Sequence, residues 1–295
     1  MPILPKIVRK LRSLARPNAE PYPRGHFYSP LPSISDVRAN AASIFRTDVE
    51  LDSSINLRDA EQVELLQKLA TIIKTLDFPT AKSPEHRYYS DNSFFGLGSA
   101  FLTAAMILHT RPTRIIEIGS GFSSAMMLDV NDRFSNGAVE HVFIEPYPDR
   151  LQQLMRPGDA KNNFVLPHPV QKQPMAVFQK LDTNDILFVD SSHISKVGSD
   201  LNHIVFNILP ALRPGVVVHF HDIYWPFEYP QEWIVDSKRA WNECYVLRAF
   251  MQYNNAFEIM LYPQYLRHKH GALMRELWPS WWDEPGSALW IRKKV

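Results

Sequence analysis

The feature that most constrains this chain is an alternation. From Asn92 to the end, short apolar runs take turns with helical stretches. The runs "TRIIEI" (113–118), "EHVFIEP" (140–146), "NFVLPHP" (163–169), "DILFVDSSH" (185–193) and "VVVHFHDIYWP" (216–226) read as five strands. Between them "SFFGLGSAFLTAAMILHT", a segment starting near Ser123, "PDRLQQLM" and "GSDLNHIVFNILPALRPG" read as helices, the last stopped by Pro214-Gly215. A long helix is expected over "EWIVDSKRAWNECYVLRAFMQYN" (232–254), then two closing strands, "FEIMLYP" and "ALWIRKK". Strands and helices in alternation leave few solutions. The pattern predicts an α/β fold, a doubly wound and mostly parallel seven-stranded sheet, with ligands outside the carboxyl ends of the strands. The last two runs have only "RELWPSWW" between them, which suggests an antiparallel strand at that edge.

Ahead of the alternation lies a different kind of chain. Seven of the 23 prolines fall within the first 32 residues, which marks an irregular N-terminal arm. Lys6 to Arg16 is a short basic amphipathic stretch for which peripheral membrane contact is one reading, and packing on its own domain or a partner the other. "GHFYSPLPS" places His26, Phe27 and Tyr28 among turn-formers, as a lid or a tether. In "LRDAEQVELLQKLATIIKTL", Val63, Leu66, Leu69, Ile73 and Leu76 recur at helical spacing. The expected division is 1–87, an arm with a helical extension, and 88–295, the sheet domain. A homo-oligomer is one arrangement such an arm permits.

Net charge is +1, so no global field argues for nucleic acid. The single cysteine, Cys244, excludes an intramolecular disulfide and fits a reducing compartment. No apolar stretch approaches the ~20 residues needed to span a bilayer, and the N-terminal stretch lacks the apolar core of a signal peptide. A cytoplasmic location is expected.

The first strand breaks into "EIGSGFSS". Gly119 and Gly121 let a ligand approach the backbone closely, and the helix that follows offers free N–H groups. A dinucleotide fingerprint would carry a third glycine at position 124, where this chain has Ser. Glu117 stands two residues before the first glycine, and a carboxylate there would repel a pyrophosphate but not a sulfonium or an amino group. Glu145 ends the second strand, where a carboxylate can bond both ribose hydroxyls of an adenosine. A nicotinamide cofactor is disfavoured. The two carboxylates suit S-adenosylmethionine (SAM).

Together, "EIGSGFSS", "FIEP", "DILFVDSSH" and "LRPGVVVHFHDI" resemble the class I SAM-dependent methyltransferases, over roughly residues 88–295. More narrowly they are similar to bacterial small-molecule O-methyltransferases whose fourth strand ends in Asp-x-x-His and whose fifth ends in His-Asp. The resemblance implies that Glu117, Gly119, Ser120 and Gly121 meet the methionine moiety, that Glu145 holds the ribose, and that Asp190 belongs to the same cofactor site. It implies a small-molecule acceptor methylated on oxygen, less readily on nitrogen, such as a sugar or a glycan-linked group. A catalytically silent SAM-fold binding module is the alternative.

For the chemistry, His193 is the first candidate for a neutral base that takes the acceptor's proton, with Asp190 orienting it and His221 as the next choice. Some relatives hold a divalent metal at this edge, which assigns a candidate site to Asp190, His221 and Asp222. The imidazole there would favour Mn²⁺, Fe²⁺ or Zn²⁺ over Mg²⁺. His219 is expected as a hydrogen-bonded core histidine. Tyr89 and Asn92 are placed near the methionine end of the cofactor, and Tyr224, Trp225, Phe227 and Tyr229 are a candidate acceptor wall.

Overall fold

The computed structural model describes residues 22–280 and 282–295. The basic stretch 6–16 therefore lies outside the described residues. The described residues form two compact units, 22–46 with Pro230–Ala240, and Thr47–Tyr229 with 241–295. The division thus falls some forty residues before the expected boundary at 87/88, and residues 47–87 belong with the sheet.

In the smaller unit, Ser33 caps the helix Ile34–Ala39 by accepting a hydrogen bond from the Asp36 N–H. Phe27 and Tyr28 are exposed there, against each other and His26.

The larger unit begins with α1 (Asp59–Ile73), followed by α2 (Leu97–Thr110). Of the expected apolar positions, Leu66, Leu69, Ile73 and Leu76 are buried while Val63 is only half-buried. Gln62 takes the buried place instead: its amide donates to the Leu57 carbonyl at 2.5 Å and accepts the Tyr262 N–H at 2.6 Å. A polar side chain this deep needs both partners, and has them.

The sheet follows as β1 (Arg114–Ile118), α3 (Phe122–Ser135), β2 (Glu140–Ile144), α4 (Asp149–Leu154), β3 (Asn163–Leu166) and β4 (Ile186–Val189). Next come α5, running Asp200–His203, a π-turn segment Ile204–Ile208 and Leu209–Ala211, and then β5 (Val217–His221). The chain closes with α6 (Glu243–Met251), β6 (Phe257–Leu261), α7 (Pro263–Lys269), α8 (Gly271–Leu277) and β7 (Ala288–Lys293). Strand order is β3-β2-β1-β4-β5-β7-β6. The first five pair in parallel, and β7 runs antiparallel to both β5 and β6.

Three expectations are corrected. The antiparallel strand lies inside the sheet, between β5 and β6, because two short helices and a turn carry the chain back from β6. The long helix over 232–254 is broken: Gln231–Val235 belongs to the smaller unit, and α6 starts only at Glu243. Of the proposed aromatic wall, Trp225, Phe227 and Tyr229 are core, with Phe227 packed on Tyr262, while Tyr224 is half-buried.

β4 and β5 are buried on both faces, as a parallel sheet covered by helices requires. The order reverses between β1 and β4, and loops diverge from that point to leave a crevice.

Candidate functional site

At the crevice lies a cavity of about 430 Å³, lined by Ile118, Gly119, Ile144, Glu145, Asp190 and Ser191 among others. It opens at the carboxyl ends of β1, β2 and β4. Volumes of 300–1,000 Å³ are usual for sites that take a molecule of nucleoside size.

The glycine loop is fitted to its neighbours. Gly119 has φ +83°, and a Cβ there would stand 1.8 Å from the Asp190 carbonyl oxygen. Only glycine allows that approach. The Asp190 N–H donates to the Ile118 carbonyl, which locks the two strand ends together. Glu145 organises the rim: its carboxylate accepts the Ser120 N–H at 3.0 Å and the Tyr147 N–H at 2.8 Å. Ser191 contributes a buried hydroxyl with no partner among the described residues. The donor set, the cavity volume and the bare backbone at Gly119 fit an adenosine-type cofactor.

Glu117 has a different place from the one the sequence suggested. It is fully buried beneath the loop, where Ser123 donates to it at 2.5 Å and Ser124 donates to its other oxygen. Burial outweighs those hydroxyls and pushes its pKa up to about 8. The carboxylate ties β1 to the first turn of α3 rather than forming part of the cavity lining. Asn92 is likewise occupied, with its amide bonded to the Tyr89 and Phe95 carbonyls and to the Phe94 and Phe95 N–H groups. It folds its own loop. Tyr89 packs edge-on against Phe122 beside the loop.

Beyond Asp190 the side chains become charged. His193, in the loop after β4, is 4% exposed and has φ +59°. Its carbonyl accepts the N–H groups of Asn242 and Glu243, so the start of α6 is pinned to this loop. That docking brings the buried Glu243 carboxylate to 2.7 Å from His193 Nδ1. His193 Nε2 faces Asp190 at 3.4 Å and Asp222 at 3.8 Å, and Trp241 packs on the ring at 4.3 Å. Asp222 has φ +58° and is held by β7: its N–H donates to the Ser287 carbonyl, and Ser287 Oγ donates to its carboxylate at 3.0 Å.

Burial alone would lower the His193 pKa, but hydrogen bonds to Asp190 and Glu243 win and hold it well above the ordinary value. These partners favour the protonated ring over the neutral imidazole expected from the sequence. Asp190 is held low by His221 and His193 against the opposing effect of burial. Burial pushes Glu243 up, moderated by its bond to His193.

One ligand atom each from Asp190, His193 and Asp222 fall within 4.8 Å of one another. This differs from the expected trio. His221 is outside it, with Nδ1 facing His219 Nε2 at 3.3 Å. His219 is stacked on Phe188 and meets Trp290 edge-on, its Nδ1 has no partner among the described residues, and burial pushes its pKa well down.

Glu243, Trp241 and Ser287 carried no recognisable signal in the sequence. They reach the site from a helix start and a strand start 48 to 94 residues away from His193.

A methyltransferase-domain family model matches residues 116–223. That span runs from β1 to just past β5, and it contains the glycine loop, Glu145, Asp190, His193 and Asp222. The chain belongs to the class I SAM-dependent methyltransferases. It is 39% identical over 173 residues to an uncharacterized protein of Archaeoglobus fulgidus, spanning 56% of this chain and 76% of that one. An SAH-bound methyltransferase of Podospora anserina is similar at 15% identity and a TM-score of 0.43, over 84% of this chain and 100% of the other. An O-methyltransferase of Bacillus cereus in complex with SAH is similar at 13% identity and a TM-score of 0.38, over 77% and 91%. Both likenesses are loose.

Proposed function

We propose that this methyltransferase transfers the methyl group of SAM to an oxygen of a small molecule, for which a sugar-type hydroxyl is one fitting class. One observation carries the reading: Asp190 belongs at once to the cavity wall and to the acid–histidine cluster. A molecule in the cavity and an acceptor at the cluster would therefore meet across a single side chain.

When bound, SAM would supply a methyl group on a sulfonium whose sulfur leaves as the neutral thioether. Glu145 would bond the ribose hydroxyls, Gly119 and Gly121 would let the methionine end lie on the backbone, and Asp190 would face the positive end of the cofactor. Glu117 would act by holding the loop. His193 is the proposed base, taking the acceptor's proton in its neutral form; Asp190 and Glu243 make that form scarcer but more basic. Glu243 would fix the ring so that Nε2 points toward the acceptor.

A second reading is favoured by the convergence of Asp190, His193 and Asp222. Two carboxylates and an imidazole, with Glu243 bonded to the other ring nitrogen, make a donor set that suits Mn²⁺, Fe²⁺ or Zn²⁺. His221 would then be no ligand. Such an ion would compete with the proton on Nε2, and would acidify an acceptor hydroxyl.

Methyl release from labelled SAM, measured against panels of hydroxyl and amine acceptors with and without chelator, tests both readings. Turnover on hydroxyls that ignores chelator supports His193 alone, and turnover restored by Mn²⁺ or Zn²⁺ supports the ion. Silence across both panels, with cofactor binding intact, would make the protein a binding module.

A further inference from the structure

We infer that Arg150 binds the carboxylate at the amino-acid end of the cofactor, an assignment that rests on the SAM reading above. Arg150 lies in the first turn of α4, five residues beyond Glu145, and its side chain crosses the glycine loop. A Cβ built on Gly121 would stand 3.2 Å from Arg150 Cδ and 3.8 Å from Nη1. The guanidinium thus lies directly over the bare α-carbon of the loop's second glycine. Its carbon is 3.6 Å from the centre of the Phe94 ring, which is stacked on Phe122 at 6.0 Å and 9°.

This arrangement fixes the cation without using its hydrogen-bonding edge. Stacking on Phe94 satisfies one face of the guanidinium by cation–π attraction. Among the described residues Arg150 forms no ion pair and no hydrogen bond. A planar fork of N–H donors, held flat and left open, matches a carboxylate in bidentate fashion.

The direction of the cavity decides which carboxylate. Beside Glu145, one wall is made by Pro169 to Gln171, which follow β3, and Gln171 donates to the Gly198 carbonyl at 2.9 Å. Lys196, the cation among the cavity-lining residues, belongs to that same side. With Glu145 on the ribose and the base toward β3, the amino-acid tail runs the opposite way, over Gly121. Arg150 is the cation on that path, and its charge acts on Asp190, which also faces the tail. The tail's ammonium would then lie toward Asp190 and its carboxylate toward Arg150.

The test compares two ligands that differ only at this end: S-adenosylhomocysteine (SAH), and 5′-methylthioadenosine, the corresponding thioether without the amino-acid group. Calorimetry on the wild type, Arg150→Ala and Arg150→Lys is the readout. Arg150→Ala should weaken SAH by about 10- to 100-fold and leave methylthioadenosine within about twofold, because one charge-assisted contact is lost. Arg150→Lys should recover part of the loss, since the charge returns without the fork. Unchanged SAH affinity in Arg150→Ala overturns the assignment, and so does an equal loss for both ligands, which would mean a disturbed loop. A wild type that binds neither ligand overturns the cofactor reading itself.

Discussion

The two halves of the site are built on opposite principles. The cofactor half is made of backbone: a glycine at φ +83°, strand ends locked by N–H donors, and a rim carboxylate that spends its oxygens on the Ser120 and Tyr147 N–H groups. The acceptor half is made of charged side chains on strained backbone, with His193 and Asp222 both at positive φ without being glycine. In the first half the backbone groups of the loop are paired, and the buried hydroxyls of Ser120 and Ser191 are left without a partner among the described residues. In the second, a buried imidazole is shared among three carboxylates, and Glu243 keeps one oxygen with no partner among the described residues. Under the proposed function this contrast divides the labour: the first half would hold the cofactor, and the second would react. Asp190 is the hinge between them.

The sharpest way to break that division is at His193. His193→Gln keeps a similar size and a polar end but removes the base, and methyl transfer should fall about 10²- to 10⁴-fold, read as labelled methyl release. Near-wild-type turnover in the variant would move the proton's route to another group. Next in size is Glu145→Ala. Losing the ribose contacts would cost about 2–4 kcal/mol, roughly 30- to 1000-fold in SAM affinity. Because Glu145 also holds the Ser120 N–H, part of the loss would come from a loosened loop, and an affinity left intact would remove the ribose assignment. At Glu117 the effect is on stability rather than on cofactor affinity or turnover. Its pKa is raised from 4.5 to about 8, so the folded protein holds a proton there that the unfolded chain gives up. This contribution is complete below about pH 4.5 and is lost as pH rises toward 8, with a limiting slope of about 1.4 kcal/mol per pH unit. Glu117→Gln should flatten that part of the stability profile in chemical denaturation. An unaltered slope would mean that Glu117 is ionised in the folded state.

The same contrast explains what could be read from residues alone. The cofactor half is local: strand, glycines and the first turn of a helix are contiguous in "EIGSGFSS", and Glu145 falls at the end of the next strand. Chain order therefore carries its geometry. What escaped there was depth, because nothing in the spelling says that Ser123 and Ser124 draw Glu117 beneath the loop. The acceptor half is assembled across the fold. His193 and Asp222 sit in loops after recognisable strands and were legible as candidates. Glu243 was hidden inside a run that reads as one long helix, and its role follows only from the break at 236–242. His221 sits beside Asp222 with Nε2 3.8 Å from its carboxylate, but its Nδ1 faces His219 and it lies outside the Asp190–His193–Asp222 cluster.

The separation of holding from reacting is tested most directly by titrating SAH into wild type, His193→Gln and Glu145→Ala side by side in a calorimeter, since this needs no knowledge of the acceptor. One-to-one binding to the wild type, an affinity within about threefold for His193→Gln and a loss of at least about 30-fold for Glu145→Ala is the predicted result. Absence of SAH binding to the wild type, or equal losses in the two variants, would contradict it.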